Sequence, residues 1–443
     1  MNKRSFLFLI LVYVGFVIKA NAQDGFRFQS KLKIKQKVSF KLINNLIVIP
    51  VEINGKMRSF ILDTGVNKTI IFNLSENDSI GLSNPKKIKL RGLGGGDAVD
   101  AILSEKNNIR VKNMVSYNES IYLILSDFFD LSSKMGITIH GIIGYNLLQN
   151  FVVKIKYRTK KIVFYNSKKF MLKKCKKCEV FPIKFYRKKP YVNVQVQLDT
   201  IGHHLTNVKM LLDSGGSDAL WLFEYSTSEI KTPKRFFKDI LGEGLSGVIY
   251  GNRGRIPKLQ IGSFEIKNPT VSFLDTISTK VARTFRQRNG SLGGGILKRF
   301  TVWLDYPKRQ IMLKKNGAFK APFNYNMSGL DIVYNGKQLI KEEEPDLSRN
   351  KFSKKNAVTF MTNYSYKFKP SFKIKGVSEN SSAAKAGLKA GDLIIEINRK
   401  PAHFYNLSDI VSVFREKDKK KIRLKIKRYG VEMIFKFRLE KRI

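Results

Sequence analysis

At 443 residues with 43% hydrophobic content, the chain is long enough for about two to four domains with true cores. A formal charge of +47 raises nucleic acid or an anionic surface as partners, yet the lysines and arginines are spread through every segment, as in Lys31-Leu32-Lys33-Ile34-Lys35. With no zinc-finger, RNA-recognition or helix-turn-helix pattern, specific nucleic-acid binding is set aside, and electrostatic association with an anionic envelope is retained.

Lys3-Arg4, the apolar run Phe6 to Ile18 and the small-x-small site Ala20-Asn21-Ala22 read as a signal peptide over 1–22. The run is short for a membrane span, so the chain is expected to be exported to the periplasm, the cell envelope or the medium. Short apolar or alternating runs then predict strands at Leu46 to Ile53, Ser59 to Leu62, Ile70 to Phe72, Ile121 to Leu125, Phe151 to Tyr157 and Lys161 to Tyr165. The run Phe60-Ile61-Leu62 ends abruptly on Asp63-Thr64-Gly65. A carboxylate at the end of a buried strand is costly unless hydrogen-bonded or partly neutralised. Arg91-Gly92-Leu93-Gly94-Gly95-Gly96 follows, then Gly141-Ile142-Ile143-Gly144 and a short helix over Tyr145 to Gln149. Cys175 and Cys178 form one C-x-x-C in a lysine-rich stretch. Zinc needs two further ligands, and a thioredoxin-type site needs a strand-helix context that is missing. A linker holding a small staple or free thiols is the plainer reading.

The second half predicts strands at Tyr191 to Leu198, Lys209 to Leu212, Ala219 to Phe223, Thr301 to Leu304 and Gln310 to Leu313, and a helix at Ile296 to Arg299. Met210-Leu211-Leu212 again ends on an aspartate, in Asp213-Ser214-Gly215. The two aspartates are 150 positions apart, as are Gly92 and Gly242, and Gly94 and Gly244, while Gly144-Tyr145 to Tyr157 lines up with Gly293-Gly294 to Tyr306 at an offset of 149. Landmarks that keep register within one residue over such a distance mark an internal duplication: two equivalent lobes. From 326 to 355 the charged, proline-broken run Lys341-Glu342-Glu343-Glu344-Pro345-Asp346 reads as a linker. Beyond it, Asn380 to Ile394 carries small residues opening a short helix, Gly387 to end it and a Gly391-Asp392 turn into a strand at Leu393 to Asn398. A helix at Leu407 to Phe414 and strands at Lys421 to Lys427 and Val431 to Leu439 complete this segment.

On these residues the first part of the chain, about 38 to 318, resembles the aspartic proteases of the pepsin and retropepsin type, and the last part resembles a PDZ domain of the bacterial envelope-protease kind. The expected fold is all-β: lobes at 30–174 and 175–325 built as β-barrels, a linker at 326–355 and a PDZ domain with two short helices at 356–443. The resemblance implies that Asp63 and Asp213 meet around one water and share a proton, with Thr64 and Ser214 locking the two loops from behind and Gly65 and Gly215 allowing close approach. Gly92, Gly94, Gly95, Gly242 and Gly244 stand where the family carries flaps, and a flap in each half resembles a retropepsin dimer fused into one chain. No cofactor or metal is implied; polypeptides are the expected substrates, and a peptide or protein is the expected PDZ ligand. The PDZ groove is expected between the second helix and residues 357–361, using Val358, Phe360, Ile410 and Phe414.

This chain departs from the family pattern at Val66 and Gly216, where many members carry a hydroxyl that supports the ionised carboxylate, and at Ser291 where the first half has Ile142. Losing that support raises the acid range of the pair and predicts activity at mildly acidic to neutral pH. Four histidines with no G-x-S-x-G give no serine nucleophile, and neither an HExxH nor a P-loop occurs. The competing readings are a non-catalytic peptide-binding envelope protein on the same fold and an anionic-surface adhesin driven by charge.

Overall fold

The computed structural model describes residues 25–72, 74, 81–125, 130–171, 175–346 and 361–443. The expected leader at 1–22 lies outside them, as do Val358 and Phe360.

Each half is built from the strand that delivers its aspartate. Leu46–Ile53 turns back at Asn54-Gly55, both with positive φ as a tight hairpin requires, into Lys56–Leu62, with Val48 opposite Ile61. Lys189–Gln197 and Thr206–Leu212 repeat the hairpin with Tyr191 opposite Leu211. Each aspartate strand then pairs in parallel with a three-residue strand, Gly141–Ile143 in the first half and Gly290–Leu292 in the second. The pairing is repeated down to single side chains. His140 Nδ1 accepts the Ser59 amide at 3.2 Å, and Asn289 Oδ1 accepts the Lys209 amide at 2.8 Å. Their carbonyls take the amides of Phe72 and Phe223.

The halves close on a shared six-stranded sheet in which Phe151–Lys156 runs antiparallel to Phe300–Asp305, flanked by Lys161–Asn166 and Lys35–Ser39 on one side and Gln310–Lys315 and Cys178–Pro182 on the other. One apolar cluster runs through both halves, from Ile47 and Leu62 to Leu212 and Phe300. That continuity fixes the aspartate strands relative to each other. A disulfide joins Cys175 to Cys178, the first residue of the sheet's edge strand.

The C-terminal unit begins earlier than its sequence suggests. Within the expected linker at 326–355, Leu330–Asp346 is a strand paired with Met361–Val377, while 347–355 lie outside the described residues. The glutamates that read as a charged break lie on this ribbon, where Glu342 meets Lys369 at 2.9 Å and Lys367 at 3.4 Å. The unit's own core gathers Leu330, Ile332, Phe372, Ile374, Ile410, Phe414 and Leu424, and also takes in Phe237 and Tyr325 from the second half.

Candidate active site

Asp63 and Asp213 each occupy the first residue beyond an apolar strand, where the backbone is still pinned. The Asp63 amide donates to Ile143 O at 2.9 Å and that of Asp213 to Leu292 O at 3.0 Å. The loops that follow are bonded to each other. Thr64 Oγ1 donates to Leu212 O at 2.6 Å and accepts from the Ser214 amide at 2.9 Å; Ser214 Oγ donates to Leu62 O at 2.7 Å and accepts from the Thr64 amide at 3.0 Å. Both hydroxyls are buried, so all four bonds form away from competing water.

This crossed arrangement brings the carboxylates to one place. Asp63 Oδ1 accepts the Gly65 amide at 2.6 Å and Asp213 Oδ1 that of Gly215 at 3.1 Å. A Cβ on Gly65 would sit 3.1 Å from Asp63 Oδ1 and 3.3 Å from Asp213 Oδ1, so the two oxygens flank one point. A Cβ on Gly215 would lie 2.2 Å from the Asp63 carboxyl carbon, which leaves no room for any side chain there.

The glycine-rich segments form the tips of two hairpins, one between Lys86–Leu90 and Val99–Val111, the other between Phe237–Gly244 and Gly247–Arg255. The tips touch: Gly96 N donates to Ser246 O at 2.8 Å, Ser246 N to Leu93 O at 3.0 Å, and Gly92 N to Ser246 Oγ at 3.2 Å. Gly92 lies against Leu245, Gly94 against the Ser246 carbonyl, and a Cβ on Gly244 would meet Leu93 O at 2.1 Å. Gly95 and Gly242 have room for a side chain and are not required by these contacts.

Residues 49–147 match the family model described as aspartyl protease, and residues 373–428 match that of the PDZ domain. The chain joins an aspartyl protease domain to a C-terminal PDZ domain. An aspartic proteinase from Irpex lacteus is a structural neighbour at 12% identity and a TM-score of 0.41, over 65% of this chain and 98% of that one. No curated protein matches the chain. The aspartyl protease match lies within the first lobe and includes Asp63 but not Asp213, which the fold brings beside it.

Both carboxyls are half-buried and held above the ordinary aspartate range. For Asp63, burial comes first and the neighbouring Asp213 charge second; the Gly65 and Gly215 amides and Lys189 oppose them, leaving it near about 7. Burial also raises Asp213, against Arg288, Lys189 and the amides of Gly215 and Gly216. Two like charges around one point cannot both ionise cheaply, so the pair holds a proton between them. Lys189 and Arg288 are site residues that the motif did not reveal. The available signal was the repeat itself: at the 149-position offset Arg288 aligns with Ile139, a cation where the first lobe has an apolar side chain.

The PDZ domain corrects the expected groove. Ile410 and Phe414 are fully buried in its core, so they hold the helix Leu407–Val413 to the sheet and do not line an open groove. That helix packs against Leu330–Asp346, the edge strand of the PDZ sheet, and Met327 N donates to Phe414 O at 2.9 Å where the chain enters it.

Proposed function

We propose that the chain is an exported aspartic endopeptidase whose Asp63 and Asp213 activate one water against a peptide bond, with the PDZ domain docking a substrate or partner. The crossed bonding of Thr64 and Ser214 carries the reading, because it holds two aspartates from separate lobes at one point with both carboxyls raised. With one proton between them, one carboxylate takes a proton from water while the other donates to the scissile carbonyl oxygen. The two flaps, closed tip to tip, would part to admit an extended polypeptide and bind its main chain as added strands.

Export rests on the leader pattern at 1–22, and the two-lobed repeat supports an internal duplication. Incubating the purified chain with a diverse peptide mixture, beside Asp63→Asn and Asp213→Asn, tests the reading. Cleavage lost in both variants and blocked by a statine-type inhibitor supports it. Equal behaviour of all three proteins leaves a peptide-binding protein on the same fold.

A further inference from the structure

The two lobes present equivalent positions to their aspartates but fill them differently. In the second lobe Tyr191, Leu211 and Ser291 form a row across three adjacent strands, two residues before Asp213. Cross-strand neighbours and residues two apart share a sheet face, so this row and the Asp213 side chain lie on one face. Arg288 spans the row: its guanidinium donates to Ser291 Oγ at 2.7 Å and to Gly290 O at 3.2 Å, and the Tyr191 hydroxyl lies close to it. Continuing the Tyr191–Leu211 register by two residues sets Lys189 beside Asp213.

The first lobe carries Val48, Ile61 and Ile142 in the same row, Ile139 in place of Arg288 and Leu46 beside Asp63. These five residues belong to, or pack against, a single apolar cluster. Arg288 is only 5% exposed, sits over the Phe223 ring at 5.0 Å, and gives its hydrogen bonds to neutral acceptors. A sealed guanidinium with no carboxylate among its hydrogen-bond partners acts at longer range, and its charge favours an ionised Asp213 ahead of Asp63.

We propose that Arg288 is a positioning residue that divides the labour of the dyad: with Lys189 beside it, it keeps Asp213 as the carboxylate that takes a proton from water and leaves Asp63 to carry the proton given to the substrate. The proposal rests on the hydrolytic reading above for its chemistry. As the water oxygen bonds to the scissile carbon, Asp213 accepts a water proton and Asp63 passes its own to the carbonyl oxygen. Collapse of the resulting diol breaks the carbon–nitrogen bond. Asp213 then protonates the leaving nitrogen while Asp63 recovers a proton from a diol hydroxyl, which restores the starting pair. Ser291 thereby acquires a purpose: a hydroxyl where the first lobe has Ile142 is what anchors the guanidinium.

The order of ionisation can be read without turnover, by carbon NMR of the full chain labelled at the aspartate carboxyl carbons. The charged and titratable groups facing the pocket are Asp63, Asp213, Lys189, Arg288, Tyr191, Tyr306 and Arg187. Asp63→Asn isolates Asp213, and Asp213→Asn isolates Asp63. Adding Arg288→Met is expected to raise the Asp213 midpoint by about one pH unit or more, and that of Asp63 by less than half as much. Arg288→Lys should largely restore it, and Ser291→Ala should give a smaller shift in the same direction, which serves if Arg288→Met does not fold. Asp63 ionising first in the parent chain, or equal movement of both midpoints, overturns the proposal. A chain that cleaves no peptide yet keeps this order removes the hydrolytic reading and leaves the assignment of charge standing.

Discussion

Thr64 and Ser214 illustrate how much two small side chains can specify. Ser214→Ala removes a donor to Leu62 O and an acceptor for the Thr64 amide, both buried. The expected loss is about 2–4 kcal/mol in chemical denaturation, because the stranded groups keep their full desolvation cost. Asp63 acts on stability in the opposite sense. Its folded carboxyl is raised, so the fold favours the protonated form; that advantage is complete below the ordinary range of about 4 and is lost as pH rises towards about 7. Asp63→Asn should therefore gain stability over the parent progressively between those limits, on the order of 1–3 kcal/mol at pH 8, checked by melting curves across pH. The aspartates and their hydroxyl neighbours were legible because the motif occurs twice in register. Lys189 and Arg288 were not, since in a lysine-rich chain only strand register sets one cation apart from the rest.

Among the elements, the aspartate strands were legible from their apolar runs and turn residues, and the flaps from glycine spacing. Contact between the flaps was not legible, because it depends on the halves closing over a common sheet. Gly244→Val tests that contact: a Cβ 2.1 Å from Leu93 O forces the tips apart. The expected result is a KM raised about tenfold with kcat little changed, since parted tips hold a bound peptide less closely while the aspartates stay in place. Leu330–Asp346 was misread as a linker for a physical reason. Its Lys-Glu-Glu-Glu run carries the polarity of a loop, yet on a two-stranded ribbon Glu342 reaches Lys367 and Lys369 across the ladder. Pro345 sits near the far end of that ribbon, where a missing donor is tolerated.

Across the whole molecule the PDZ domain holds the second flap. Phe237, at the foot of that hairpin, is buried in the PDZ core, packs its ring at a tilt against Tyr325 at 5.6 Å and lies beneath Arg442 at 4.1 Å. Near the tip, Glu243 pairs at 2.9 Å with both Lys134 of the first lobe and Lys375 of the PDZ strand, and the two ammonium groups keep its carboxyl below the usual range despite burial. Phe237→Ala should cost about 3–5 kcal/mol and release hydrogen-exchange protection along residues 237–255. Sequence gave no sign of this coupling, since it joins residues of three separately patterned segments. The central claim, hydrolysis by a proton-sharing pair of aspartates, is tested most directly by the pH dependence of kcat/KM on a cleaved peptide, measured for the parent chain and for Asp63→Asn and Asp213→Asn. A bell-shaped profile peaking at mildly acidic to neutral pH, with both variants reduced at least about a thousandfold, is the predicted result. A peak near pH 2, or a rate that survives in either variant, would contradict it.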